Sequence, residues 1–171
     1  MPPGRQYMND QIKTIIPPLV VTLMTLILVE ILSSTVLPII GLTSFRIPIN
    51  ILIILFLAFK IETAYLPVLI FIVQYFHSFF SIQGWEVGTL AGIVVCLVIS
   101  YLRDIIHFSN HLFTIFLSLI FLVIWFGITS FLFYIKGVNE AFLIERFWNF
   151  IPESLFLSLV SPFFFTLFDK I

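Results

Sequence analysis

Charged residues are scarce in this chain of 171 residues, which has 8 Lys and Arg and 9 Asp and Glu. The longest interval without any of them covers 31 residues, from Ile105 to Ile135. A helix needs about 20 apolar residues to cross the hydrocarbon core of a bilayer, so this interval is long enough for a transmembrane helix. With 61% hydrophobic residues, the shortage of charge excludes a soluble globular protein, whose surface carries charges throughout.

Cysteine is also rare in this chain, and the common catalytic motifs are missing from its sequence. Cys96 is the only cysteine, which excludes an internal disulfide and a cysteine-based metal cluster. The sequence contains no nucleophile elbow, HExxH, P-loop or CxxC motif, and no paired carboxylates spaced for metal or phosphate chemistry. We therefore predict a protein that is not an enzyme and has no cofactor. Its net charge of −1 gives no indication of a nucleic-acid partner.

Apolar runs separated by single charges predict an all-α, polytopic membrane protein. We expect one domain over residues 1–171, a compact bundle of six transmembrane helices with short loops. The second run is the weakest, because it is strictly apolar only from Ile47 to Phe59, and a re-entrant hairpin is the alternative there. The runs are Ile15 to Ile40, Thr43 to Phe59, Ala64 to Phe80, Gly84 to Leu102, Phe108 to Ile135 and Asn149 to Phe168.

Six crossings place both termini on the same side of the membrane. Cytoplasmic loops are enriched in Lys and Arg, and the terminal side carries more of them, so we expect both termini in the cytoplasm. The first run is too long for a signal-peptide core and is expected to stay as an anchor. The terminal side has Arg5, Lys13, Lys60, Arg103 and Lys170, and the opposite side has Arg46, Lys136 and Arg146.

Small residues recur every four positions in the fourth run, at Gly84, Gly88, Gly92, Cys96 and Ser100. A stripe of small side chains lets another helix approach closely, which is how membrane helices associate where lipid supplies no hydrophobic drive. We predict that Gly84, Gly88 and Gly92 form a helix-packing or partner face. Packing inside the bundle and packing against a partner's helix both fit this pattern.

Polar residues in the third run also share one face, with Gln74, His77, Ser78 and Ser81 at i, i+3, i+4 and i+7. A polar face in a membrane helix avoids lipid. We predict that these four side chains are buried. A hydrogen-bonded seam within the bundle is one interpretation, and a small-molecule cavity or partner groove is the other.

Glu30 lies well inside the first run. A charge near the bilayer centre costs about 2.5–3.5 kcal/mol on insertion scales, so something must compensate it. No Lys or Arg lies at a similar depth in any run, which leaves protonation, Arg46 or another protein. We predict that Glu30 is buried and faces the bundle core or a partner.

Asp104, His107 and His111 stand at i, i+3 and i+7, a spacing that resembles a set of metal ligands on a helix. They begin at a membrane interface beside Arg103, where charged residues and His gather in any case. We therefore favour contact with lipid headgroups and predict no metal site.

The longest predicted loop joins the fifth and sixth runs. It contains Glu140, Glu145 and Arg146 beside Trp148. Their simplest role is to keep this loop in water, and they are also reasonable contacts for a periplasmic partner.

Three segments of the sequence resemble the MreD family, small integral membrane proteins of the bacterial rod-shape and cell-wall elongation system. They are Arg46-Ile-Pro-Ile-Asn-Ile-Leu-Ile-Ile-Leu-Phe, Gly-Trp-Glu-Val-Gly-Thr-Leu-Ala-Gly from Gly84 to Gly92, and the tail from Ile151 to Lys170. The tail has the small residues, the proline and the aromatic cluster that close MreD proteins. The third run departs from the family, since it has Gln74 and His77 where members are glycine-rich.

The resemblance implies a non-enzymatic scaffold in the bacterial inner membrane, in contact with lipids. Its implied partners are MreC, a single-span protein, and through it the RodA glycosyltransferase with its penicillin-binding transpeptidase. It also implies a fold related to the vitamin-binding subunits of energy-coupling-factor transporters. Such a small-molecule binding subunit is the alternative function, although those subunits dock their partner through alanines on the first helix and this chain has none between Ile15 and Ile40.

Overall fold

The computed structural model describes residues 3–39, 41, 47–60, 65–81, 84–102 and 111–168, with side chains from residue 16 onward. These parts of the chain form an all-helical structure. Its helices are α1 (Pro3–Ile39), α2 (Ile49–Lys60), α3 (Leu66–Ser78), α4 (Trp85–Leu102), α5 (His111–Ile135) and α6 (Glu140–Phe168).

Four of these helices are long and apolar enough to cross a membrane. They are Ile16–Ile39 within α1, together with α4, α5 and α6, which makes this a multi-pass membrane protein. The other two are shorter, with 12 residues in α2 and 13 in α3. At 1.5 Å per residue each is about 18–20 Å long, less than the roughly 30 Å of a hydrocarbon core.

The short helix α2 is the centre of the bundle. Every residue from Ile49 to Ala58 is buried, and α2 packs against each of the other five helices. A helix that is apolar on all sides has no face to turn toward water or headgroups, so enclosure by other helices is its stable position. The described residues 49–60 form one continuous helix without a turn, and the choice between a crossing and a re-entrant segment stays a prediction.

The two ends of the bundle can be identified from contacts between helix termini. Phe56, near the end of α2, packs edge to face on Phe164 at 6.1 Å between ring centroids, and on Phe168 at 5.6 Å. Lys60 Nζ lies 3.5 Å from the Phe168 carbonyl oxygen. We call this the lower end of the bundle, where α2, α4 and α6 end. The opposite end, where these three helices begin, is the upper end.

The connection between α5 and α6 corrects the predicted boundaries. Gly137 has a φ of +74°, and the Val138 N–H donates to the Phe133 carbonyl, which is the hydrogen-bond pattern of a glycine-terminated helix. The Asn139 side chain then accepts from the Ala141 N–H at 3.1 Å and caps the next helix. Helix α6 therefore begins at Glu140, nine residues before the predicted Asn149.

The remaining boundaries differ less from the prediction. Helix α1 extends back to Pro3, α3 covers 66–78 within the predicted 64–80, and α4 begins at Trp85. The predicted starts of the second and fifth spans, 43–46 and 108–110, lie outside the described residues. Hydropathy locates the apolar part of a helix, whereas caps and turns decide where the helix begins and ends.

Candidate functional site

A buried pair of side chains joins α1 to α3 near the upper end. The Glu30 Oε1 atom lies 2.6 Å from His77 Nδ1, and the side chains are only 7% and 17% exposed. This contact is an ion pair when His77 is protonated and a hydrogen bond when it is neutral. The buried Glu30 carboxylate therefore has its partner within this chain. His77 was predicted on the polar face of the third run, and the sequence did not pair it with Glu30.

A second polar contact joins α2 to α3 beside the first. Asn50 and Gln74 are both buried, and Asn50 Nδ2 donates to Gln74 Oε1 at 3.4 Å. Asn50 Oδ1 and Gln74 Nε2 have no hydrogen-bond partner within the described part of the chain. The two amides thus retain hydrogen-bonding capacity in the interior, where unused polar groups are costly.

Two of the three predicted glycines lie where α4 packs against its neighbours. A Cβ atom added at Gly88 would overlap Gln74 Oε1 and lie 2.7 Å from Gln74 Cδ. One added at Gly92 would lie 2.6 Å from Ile70 Cγ2 and 3.4 Å from the Trp125 ring. Gly88 and Gly92 therefore let α4 pack closely within the bundle, on α3 and α5.

Gly84 has a different role from the one predicted. It precedes α4, has a φ of +70°, and an added Cβ would meet nothing within 4 Å in the described structure. Residues that carry a side chain rarely adopt this backbone conformation. Glycine is therefore favoured here for the turn into α4. Gly84 therefore does not pack on another helix in the described structure, and its place in a partner face stays a prediction.

Arg146 is the main charged group that the sequence analysis misplaced. The structure puts it on the first half of α6, half-buried. Its guanidinium carbon lies 4.7 Å from the centroid of the Phe133 ring, and Nη2 donates to Thr129 Oγ1 at 3.3 Å. A guanidinium over an aromatic face gains cation–π attraction, which strengthens away from water. This residue belongs to the bundle interior and not to a solvated loop.

These polar groups surround a cavity of about 480 Å³ at the upper end. Glu30 and His77 line it from α1 and α3, Asn50 from α2, and Arg146 from α6. The cavity is partly open. Its size falls in the range of about 300–1,000 Å³ that small-molecule sites occupy.

The chain matches no protein-family model, no curated protein and no solved structure. The resemblance seen in three sequence segments therefore stays an expectation.

The remaining predicted residues fall into three groups. Ser81 is half-buried and lines the cavity with His77. Ser78 donates to the Tyr75 carbonyl of its own helix at 2.6 Å and is not among the residues that line the cavity. Of the unfavoured metal spacing, Asp104 and His107 lie outside the described residues, and His111 is exposed at the start of α5.

A helical pattern in the sequence could have revealed the contribution of α6. Arg146, Asn149, Phe150 and Glu153 stand at i, i+3, i+4 and i+7, and all four line the cavity. This is the same spacing that identified Gln74 to Ser81 on α3. It was missed because the first two residues of the set were assigned to a loop and to the edge of a span.

Proposed function

We propose that this chain is a non-enzymatic membrane scaffold of the bacterial cell-wall elongation machinery. In this role it binds an MreC-like single-span protein and, with it, supports the RodA glycosyltransferase and its penicillin-binding transpeptidase. The chain crosses the inner membrane six times, with the lower end and both termini on the cytoplasmic side.

The position of the three segments that resemble the MreD family carries this proposal. The described part of the first segment runs into the central helix α2. The second opens α4 and contains Gly88 and Gly92, which pack on α3. The third forms the second half of α6, whose Phe164 and Phe168 pack on Phe56. The resemblance is thus concentrated in residues that build one core around α2, as expected if it reflects a shared bundle.

A surface for a single-span partner is available on α1. This helix packs on α2 and α3, and its span is the least buried of the four long ones. Residues four apart on a helix form a ridge that fits between the side chains of a second helix, and close packing of this kind drives association in membranes. Exposed apolar side chains form such a ridge at Val20, Met24, Leu28, Leu32 and Val36.

Site-specific photo-crosslinking tests this role of α1. A crosslinking amino acid at Leu28 is expected to capture a single-span protein with a periplasmic coiled coil when the two proteins are expressed together. Leu159 on α6 is the matched control, because both leucines are 59% exposed, and a crosslinker there is expected to capture lipid. Equal capture at the two positions, or capture of lipid alone at both, would contradict the scaffold.

The cavity favours a second candidate, a vitamin-binding subunit of an energy-coupling-factor type transporter. Two residues of the predicted polar face, His77 and Ser81, line the cavity. The structure adds Glu30, Asn50 and Arg146 to them. A pocket with several converging polar groups in an apolar wall is typical of small-molecule sites. A vitamin retained by the purified chain, together with ATP-dependent uptake in the presence of an energising partner, would favour this function over the scaffold.

A further inference from the structure

The cavity at the upper end is lined from both sides of the bundle. Helices α1 and α3 contribute Glu30 and His77, and α5 and α6 contribute Trp125 and Arg146. α1 packs on α2 and α3, and α6 packs on α5 and α2, so the cavity occupies the space between these two sets of helices. It is partly open, which gives a molecule a way in.

Arg146 presents an unused donor inside this space. Its Nη2 donates to Thr129, but Nη1 is buried and has no acceptor among the described residues. A buried polar group without a partner is rare in folded proteins and calls for an explanation such as a bound molecule. Phosphate and carboxylate oxygens match a guanidinium group best.

The carboxylates around Arg146 limit the charge of that molecule. Glu153 already interacts electrostatically with Arg146, and Glu30 is bound to His77. Glu145 is exposed and also lines the cavity. A ligand that carried only negative charge would be repelled by these groups, whereas one that also carries an ammonium group would be attracted to Glu145.

Most of the remaining wall is apolar and aromatic, interrupted by the polar side chains of Asn50, Ser81 and Asn149. Phe126 and Phe150 stack with their ring centroids 4.3 Å apart, and both line the cavity with Trp125 and Phe133. This surface accepts an alkyl or aromatic body and offers it few hydrogen bonds. An apolar part of a ligand can therefore lie against Phe126 and Phe150.

We propose that this cavity binds a zwitterionic amphiphile. An oxyanion of the ligand accepts from Arg146 Nη1, an ammonium group meets Glu145, and an apolar body lies against Phe126 and Phe150. A phospholipid with an ethanolamine headgroup has this chemistry, and so does a free amino-acid-like metabolite with an apolar side chain. A whole phospholipid is larger than the cavity, so its chains would continue through the opening into the bilayer.

Native mass spectrometry of the full chain, purified in mild detergent, identifies a retained molecule and its source. We expect one zwitterionic adduct, of phospholipid mass if the source is the bilayer and smaller if it is a metabolite. The adduct should fall at least fivefold in Arg146→Gln and persist in Lys136→Gln, a matched loss of a cation that pairs with Glu86 at the same end. A retained anion or neutral vitamin, or an adduct unaffected by Arg146→Gln, would overturn the proposal.

Fluorescence quenching gives a second readout in vesicles. Trp125 is 3% exposed and lines the cavity, so a Trp85→Phe, Trp148→Phe protein reports from it alone. In phosphatidylglycerol vesicles, brominated phosphatidylethanolamine is expected to quench Trp125 at least twice as strongly as brominated phosphatidylglycerol. Glu145→Gln should reduce this preference, which keeps the test usable if Arg146→Gln does not fold.

The two readouts together distinguish the sources of the ligand. Stronger quenching by phosphatidylethanolamine, with an adduct of phospholipid mass, supports the phospholipid. Equal quenching by the two lipids, with a small zwitterionic adduct in the mass spectrum, supports the metabolite as ligand. Equal quenching with no zwitterionic adduct, or stronger quenching by phosphatidylglycerol, overturns the proposal. The inference does not depend on the scaffold role, because crosslinking at Leu28 tests the exposed ridge of α1, which does not line the cavity.

Discussion

Replacing Glu30 with leucine is expected to destabilise the folded bundle by about 3 kcal/mol, the cost of removing one partner from a buried polar or charged pair. The Glu30–His77 contact is short, buried and joins α1 to α3. Without Glu30, the His77 ring keeps its buried position and loses its partner on α1. The loss of stability should appear as unfolding at a lower denaturant concentration, measured by circular dichroism in mild detergent.

The matched control for this change is Glu86→Leu. Glu86 Oε2 lies 2.6 Å from Lys136 Nζ, the same separation as in the Glu30–His77 pair, but the side chains are 62% and 47% exposed. Solvated ion pairs contribute little to stability, so the Glu86→Leu protein should unfold at nearly the same denaturant concentration as the unchanged chain. Equal losses for Glu30→Leu and Glu86→Leu would show that the buried contact does not hold α1 in place.

A double variant separates the pair from its individual residues. If the two side chains act together, adding His77→Leu to Glu30→Leu should cost much less than His77→Leu alone, because the interaction is already lost. Additive losses would assign each residue a separate role.

The second large effect is expected from leucine at the packing glycines. Gly88→Leu and Gly92→Leu should each destabilise the bundle by about 3 kcal/mol or more, since overpacking a tight contact forces backbone shifts. At Gly92 the obstacle is Ile70, whose branched side chain is stiff. The Trp125 ring also lies 3.4 Å from the added Cβ position. At Gly88 the obstacle is the end of the flexible Gln74 side chain, so the loss there should be the smaller of the two and should include the 3.4 Å contact with Asn50.

Gly127→Leu is the control for both changes. Gly127 lies within α5, and an added Cβ there meets nothing within 4 Å in the described structure. The same substitution should therefore leave unfolding in detergent and the yield of monodisperse protein nearly unchanged. If Gly127→Leu and Gly92→Leu unfold alike, the small-residue face of α4 does not make the contacts described here.

Parts of this structure could be predicted from the sequence because they depend on hydropathy and period. The apolar runs located all the helices that the described residues contain, and the small-residue stripe of α4 marked Gly88 and Gly92 correctly as close-packing positions. The central position of α2 was harder to predict from the sequence. Its short length made it look like the weakest span, whereas its lack of any polar face except Asn50 agrees with enclosure on all sides.

The site was harder to predict because it depends on which helices lie side by side. In the expected layout α1 and α3 run in the same direction, and both Glu30 and His77 lie toward their C-terminal ends, so the pair could have been inferred from topology. Arg146 could not be placed by hydropathy at all. Its position follows from the Gly137 turn and the Asn139 cap, which start α6 early and bring the guanidinium group beside Phe133.

The measurement that tests the central claim most directly is the accessibility of single cysteines in intact cells, in a Cys96→Ser background. The proposal is that all six helices cross the membrane, the short α2 and α3 included, around a buried centre. A membrane-impermeant maleimide added outside should label positions in the three connections at the upper end and spare those at the lower end. The labelled set should be Thr43, Gln83 and Lys136, and the protected set Glu62, Ser109 and Lys170. Labelling of Thr43 and Glu62 from the same side would show that α2 does not cross, and would contradict the six-helix bundle.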